Sequence, residues 1–211
     1  MTPIQQLMLG VGAKKKTYLD DVFSTFLYKG NRPSNQSINN GIDLSTEGGL
    51  VWIKSRTNTY NNILQDTVNG TGKFIKSNAN EAATNTSQYI TSFNTNGYTL
   101  GTDNDINNSS QNFASWTFRK AKGFFDVVTY TGNGSNRTIA HSLGCIPGLI
   151  MIKNVSAGEN WRVYHRTTKA THNLKLNGTD AAGASSTPFN NTEPTASVFS
   201  VGTDGATNNN G

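Results

Sequence analysis

Apolar residues in this chain come in short runs. From Phe23 onward each run is bounded by clusters of Asn, Gly and Ser, a pattern that predicts the many short strands of an all-β fold. The runs of the first half are FSTFLYK, GLVWIK, KFIK, YITSF, YTLG and FASWTF, and those of the second are FFDVVTY, GLIMIK, WRVYH, NLKL and VFSVG. Through Leu50–Ile53 and again through Leu149–Ile152 the chain stays apolar at every position. That predicts central strands covered on both faces, because a half-exposed strand would alternate. FASWTF does alternate, with Ala114, Trp116 and Phe118 on one face. Lys54 and Lys153 are expected where the two central strands return to water. Residues 1–22 break the pattern: IQQLMLGVGA carries no alternation and runs into KKKTYLDD, so they read as a separate N-terminal anchoring arm.

The two sets of runs match one another. FSTFLYKGN (23–31) aligns with FDVVTYTGN (125–133), with Phe23/Phe125, Tyr28/Tyr130, Gly30/Gly132 and Asn31/Asn133 identical. SNQSI (34–38) then aligns with SNRTI (135–139), GLVWIK (49–54) with GLIMIK (148–153), and YTLGTDND (98–105) with FSVGTDGA (199–206). An offset that stays near about one hundred residues is the mark of a tandem duplication. The predicted organisation is therefore an arm at 1–22 followed by two tandem β-sandwich, jelly-roll-like domains at 23–122 and 123–211. In the second copy NNNG (208–211) stands just before the position of a second FASWTF. A sheet without that strand would carry an unpaired apolar edge, so the expectation is a longer natural chain, or a strand supplied by another subunit.

Composition narrows the function classes. Hydrophobic residues make up 34% of the chain and charged residues 15%, so the surface is largely Asn, Thr, Ser and Gly, which favour turns and pleated strands over helices. The net charge of +5 is spread along the chain, with Lys14-Lys15-Lys16 its one run, and this scatter does not predict nucleic-acid binding. A single cysteine, Cys145, excludes an intrachain disulfide and a multi-cysteine zinc site and reads as a buried, inert thiol. No apolar run approaches the ~20 residues of a membrane span. The apolar part of the N-terminus precedes the lysines, the reverse of a secretory signal.

The series GGLVWIKSR, TSFNTNGYTLG, FASWTFRKAKGFFDVVTYTGNG, TIAHSLGCIPGLIMIKN and WRVYHR resembles a domain found repeatedly in tail-fibre and virion structural proteins of marine bacteriophages, especially those infecting cyanobacteria. The resemblance covers essentially the whole chain. It implies a part of the virion tail: a fibre or related appendage, built as a homo-oligomer, a trimer, fixed to tail, adaptor or nozzle proteins by its N-terminal end. It implies no cofactor and supplies no catalytic residues.

Four residue groups are candidates for chemistry. In the arm, Ile4, Gln5, Gln6, Leu7, Met8, Leu9 and Val11 form the expected virion anchor, since so short an apolar stretch needs a partner to be buried. Trp161, Tyr164, His165 and Arg166 supply aromatic faces and planar donors suited to a host sugar ring; the competing expectation places Trp161 and Val163 in the core, with Arg162 and Tyr164 exposed. Asp103-Asn104-Asp105 begins like a calcium loop but lacks the glycine and closing glutamate, so an Asx-rich turn is expected. Asp126, His141 and Ser142 are the residue types of a triad without a nucleophile elbow around the serine, and His141 is expected to cap its loop. His165 and His172 are too isolated to predict a metal site. The expected function is a non-enzymatic structural one; a lectin-like glycan-binding module is the alternative, and a depolymerase is disfavoured because thirteen acidic residues show no glycosidase-like pair.

Overall fold

The computed structural model describes residues 17–210, and over them the chain is all-β, with antiparallel strands and three single turns of helix. In the first half the strands are β1 (Phe23–Lys29), β2 (Gln36–Asn39), β3 (Gly49–Ser55), β4 (Ile63–Asp66), β5 (Lys73–Lys76), β6 (Thr84–Asn85), β7 (Ile90–Asn94), β8 (Gly97–Leu100) and β9 (Asn112–Arg119). They form a six-stranded sheet in the order β1-β9-β3-β4-β5-β6 and a three-stranded sheet in the order β2-β8-β7. The second half has three two-stranded sheets: β10 (Arg137–Ala140) with β15 (Val198–Val201), β11 (Leu149–Ile152) with β12 (Arg162–His165), and β13 (His172–Asn173) with β14 (Gly183–Ala184). The helical turns are α1 (Leu19–Val22), α2 (Asn104–Asn107) and α3 (Gly205–Asn208).

Three apolar clusters hold these sheets. One gathers Tyr28, Val51, Ile53, Ile63, Phe74 and Phe113 from the larger sheet with Ile38, Ile90, Tyr98 and Leu100 from the smaller. A second gathers Ile139, Ile152, Tyr164, Phe189, Phe199 and Val201, all from the second half. The third joins the halves: Leu50, Leu64, Trp52, Ile75 and Phe118 meet Trp161, Phe125, Val127, Met151 and Leu176. Within β3, Val51 and Ile53 thus serve the first core while Leu50 and Trp52 serve the seam, which is why this strand is apolar at successive positions. The same division accounts for β9, whose Phe113, Ser115 and Thr117 are fully buried while Trp116 and Phe118 are half-buried.

The sequence repeat is also a repeat of hydrogen bonds. Asp103 caps α2 by accepting from the Asp105 backbone N–H at 2.8 Å, and Asp204 caps α3 from Ala206 at 2.8 Å. At the other end of each turn stands a buried asparagine. Asn107 accepts from the Asn31 N–H (2.7 Å) and donates to the carbonyls of Ser34 (2.9 Å) and Gly101 (2.6 Å). Asn208 accepts from Asn133 (3.0 Å) and donates to Ser135 (2.7 Å) and Gly202 (2.7 Å). The hydroxyls of Tyr28 and Tyr130 donate to the carbonyls of Ile106 and Thr207, the residues just before those asparagines. The identical glycines sit against the same turns: a Cβ on Gly30 would lie 2.2 Å from the Asn108 carbonyl oxygen, and one on Gly132 would lie 2.0 Å from that of Asn209. Alanine at either glycine is expected to cost about 1–3 kcal/mol through backbone displacement; an unchanged urea midpoint for both variants would contradict this.

Several expectations need correction. Lys54 and Lys153 do not simply re-enter water: each folds back on the loop after its strand, Lys54 Nζ donating to Tyr60 O at 2.6 Å and Lys153 Nζ to Asn154 O at 2.6 Å. Burial holds the Lys153 ammonium below its ordinary range, with Glu159 and Glu81 opposing. FFDVVTY is not a strand; only an isolated bridge, Ala121 to Phe125, touches it. NLKL contributes Asn173 to β13 and a bridge from Leu174 to Val163. Leu149–Ile152 does form β11, but it pairs on one side alone, with β12, whereas β3 lies between β4 and β9. Leu149 is consequently 52% exposed where Leu50 is 7%. Residues 1–16, and with them Ile4, Gln5, Gln6, Leu7, Met8, Leu9, Val11 and the lysine run, lie outside the described residues. The end of the expected arm forms α1, whose Val22 is buried.

Candidate functional site

The strand β12 and its flanks carry the four glycan candidates, with Trp161 placed by the seam between the halves and Tyr164 by the core of the second half. Trp161, immediately before β12, is 4% exposed and packs in the shared cluster with Leu50 and Leu64. Its indole Nε1 donates to the Lys76 carbonyl at the end of β5, 2.9 Å away. A second bond across the halves runs from the Ala83 N–H to the Val155 carbonyl at 2.9 Å. Trp161 is therefore a pin between the two copies, with no ring face open to a sugar.

Tyr164 is 2% exposed, contrary to its expected exposure. Its ring packs edge-on against Phe189 and its hydroxyl donates to Glu193 Oε2 at 2.7 Å. Burial, then the neighbouring carboxylate, pushes that hydroxyl up to about 12. The Glu193 carboxyl is held below its usual range, chiefly by the Ala170 N–H it accepts from at 2.8 Å. His165 is half-buried and Arg166 exposed. The four candidate glycan residues thus split, two inward and two outward, and do not share an exposed face. Val163 is buried as expected.

The fourth side chain of β12, Arg162, reaches instead into an open cleft of about 380 Å³ lined by Asn173, Lys175, Asp180, Ser185 and Asp204. Arg162 meets Asp204 at 3.1 Å, and Lys175 meets Asp180 at 2.6 Å. The cleft is polar, with its charges matched in pairs. Sequence reasoning missed it because its residues lie on separate segments between positions 162 and 204, and no local motif connects them.

The remaining candidates act on loops. His141 Nδ1 accepts from the Leu143 N–H at 3.3 Å, which leaves the proton on Nε2, facing Thr195 O at 3.3 Å. Asp126 accepts from the Ser142 N–H at 2.8 Å and pairs with Lys120 at 3.2 Å. Both His141 nitrogens are thereby turned to backbone groups, and the three residues brace one loop. Cys145, expected to be buried, is half-buried.

Asp103 and Asp105 form the expected Asx turn, with Asp105 also accepting from Tyr89 Oη at 3.3 Å. Among the described residues no group of three metal-ligating side chains comes together. Burial first, and the Asp103 charge second, hold the Asp105 carboxyl above its usual range. A folded-state value raised above the unfolded one stabilises most below the unfolded value and loses that contribution as pH rises through the folded one. Asp105→Asn is expected to remove this part of the loss. Urea midpoints measured from about pH 3 to pH 7 check it; parallel profiles for variant and parent would contradict it.

Among the described residues no helix is long and apolar enough to cross a membrane. Residues 19–211 match the family model of a domain of unknown function (DUF7483). No curated protein and no solved structure matches the chain.

Proposed function

The chain belongs to the DUF7483 family, a domain of unknown function, and from its resemblance to marine phage tail proteins we propose that it is a non-enzymatic structural protein of a phage virion, a tail fibre or related tail appendage. In this reading residues 23–122 and 123–211 are tandem β-sandwich units that act as spacer and scaffold. The arm fixes them to tail, adaptor or nozzle proteins, and copies of the chain assemble as a homo-oligomer, a trimer, that contributes to host adsorption. The observation that carries the proposal is the seam: two copies of one hydrogen-bonded unit share an apolar cluster and are pinned by Trp161. Such a joint transmits position along a chain, which is the task of an appendage, and the resemblance to marine phage tail proteins supplies the biological setting.

The test lies in the arm. Leu7→Asp combined with Leu9→Asp would place charge in an apolar groove without a partner, a penalty of several kcal/mol, about 2–7 for each buried polar group. The variant is expected to fold as the parent does and to be missing from purified particles. Normal incorporation would contradict attachment through this segment. Glycan binding is not needed for this role, and residues 23–211 are expected to give a blank glycan array; reproducible binding would favour the lectin-like alternative.

A further inference from the structure

We infer that the open cleft at Arg162 in the second copy is a binding site for one saccharide unit, a ring carrying neighbouring hydroxyls. What the same place holds in the first copy points to it. From β3 to β6 and from β11 to β14 the two copies keep one register. Ile53 faces Ile63 as Ile152 faces Arg162, Leu64 faces Ile75 as Val163 faces Leu174, and Phe74 faces Thr84 as Asn173 faces Gly183. The N–H groups of Gly101 and Gly202 likewise donate to the carbonyls of Tyr89 and Pro188. Arg162, Asn173 and Pro188 therefore stand where the first copy has Ile63, Phe74 and Tyr89.

In the first copy these three residues are buried core, with the rings of Phe74 and Tyr89 stacked 4.1 Å apart. In the second copy the counterparts of Ile63 and Phe74 line the cleft instead. The frame around them is unchanged. The ion pair Lys76–Glu81 recurs as Lys175–Asp180, and Asp204 caps its helical turn as Asp103 does. One frame thus holds an apolar filling in one copy and a polar hollow in the other. The hollow is also rigid: Arg162, its side chain 18% exposed, is fixed by Asp204 Oδ1 at 3.3 Å and Oδ2 at 3.1 Å, so its remaining donors are held in place before any ligand arrives.

The lining selects the ligand. Arg162 and Lys175 are matched by Asp180 and Asp204, so the cleft offers no net charge to an ion, and it has no aromatic or large aliphatic side chain to hold an apolar molecule. Arg162 bonds Asp204 through Nε and Nη2, Asn173 donates to the Gly183 carbonyl at 3.4 Å, and Lys175 bonds Oδ2 of Asp180. Among the described residues this leaves Nη1 of Arg162 as a donor, and Oδ1 of Asn173 and Oδ1 of Asp180 as acceptors, without partners. A hydroxyl donates and accepts at once, so neighbouring hydroxyls on a ring answer both kinds of group. The volume of about 380 Å³ lies within the range of small-molecule sites. A ligand of about a dozen non-hydrogen atoms held by hydrogen bonds alone binds at about millimolar strength. Binding that weak is lost in the washes of a glycan array, so the blank array expected above holds with it, and the inference does not rest on the virion role.

The probes are D-glucose, D-galactose and D-mannose, each titrated into the isotope-labelled 211-residue chain and followed by NMR. At least one sugar is expected to shift the backbone amides of Asn173, Gly183 and Ser185 saturably, with half-saturation at about 1–10 mM. Asn173→Phe, which restores the ring of the first copy, is expected to abolish these shifts. Asp180→Ala alters a side chain that is 65% exposed and leaves the fold intact, and it is expected to weaken binding about three- to tenfold. The absence of saturable shifts at these amides with all three sugars would overturn the inference. Inorganic phosphate or calcium chloride shifting them where the sugars do not would overturn it in favour of an ion site. Sugar affinity unchanged in both variants would overturn the assignment to this cleft.

Discussion

Trp161→Ala will lower the unfolding free energy by about 3–5 kcal/mol, the range for removing a buried aromatic side chain. It will do so by loosening the joint between the halves. The indole is 4% exposed and sits among Leu50, Leu64 and the half-buried Trp52, Phe118 and Met151, so its loss opens a cavity walled by both copies. It also orphans the Lys76 carbonyl, which accepts from Nε1 at 2.9 Å. Trp161→Phe separates the two effects: it keeps most of the apolar contact and loses the bond, at a cost of about 1–3 kcal/mol. Urea unfolding followed by hydrogen exchange in each half checks both. The parent is expected to unfold in one transition and the alanine variant in two. A single, unshifted transition for Trp161→Ala would contradict the role of the residue as a pin.

Asn107→Ala is expected to be nearly as damaging, although the residue is polar. Its side chain is fully buried and satisfies three backbone groups on two separate segments, Asn31 and Ser34 in one turn and Gly101 after β8. Alanine leaves all three without that partner. Each such group costs about 1–3 kcal/mol when it stays dry, and water reaching the Asn31 and Ser34 side would reduce the total to about 2–4 kcal/mol. Asn107→Asp should be worse, because a carboxylate cannot donate to the Ser34 and Gly101 carbonyls that face it. Asn208, with the same three bonds in the second copy, should give the same ranking. Urea midpoints for the four variants check the comparison. If aspartate were tolerated better than alanine at both sites, the donor role of these amides would be wrong.

The asparagines also mark how far the sequence could be read. The runs that became β1, β3, β5, β7, β8 and β9 were legible because their apolar residues alternate or persist over a strand's length. β4 was not, because its Gln65 and Asp66 look like surface residues; they are buried with their polar atoms occupied, Gln65 Oε1 accepting from Ile90 N at 2.7 Å and Asp66 Oδ1 from Val68 N at 2.9 Å. The repeat was legible from identities such as Tyr28/Tyr130. Asn107 and Asn208, each tied to three backbone groups, lie in Asn-rich turns where nothing local separates a buried asparagine from a solvated one. Trp161 was legible as core first and as a sugar platform second, since a lone tryptophan suits both. The choice depended on the seam, which is built from residues of both halves and leaves no mark within either.

The central claim, a structural part of a virion tail, is tested most directly by a reconstruction of the intact phage particle at a resolution that traces the chain. The claim predicts density for both β units on a tail appendage, with residues 1–16 seated against a tail, adaptor or nozzle protein and several copies about one axis. Particles complete in their tail appendages but without this chain would contradict it.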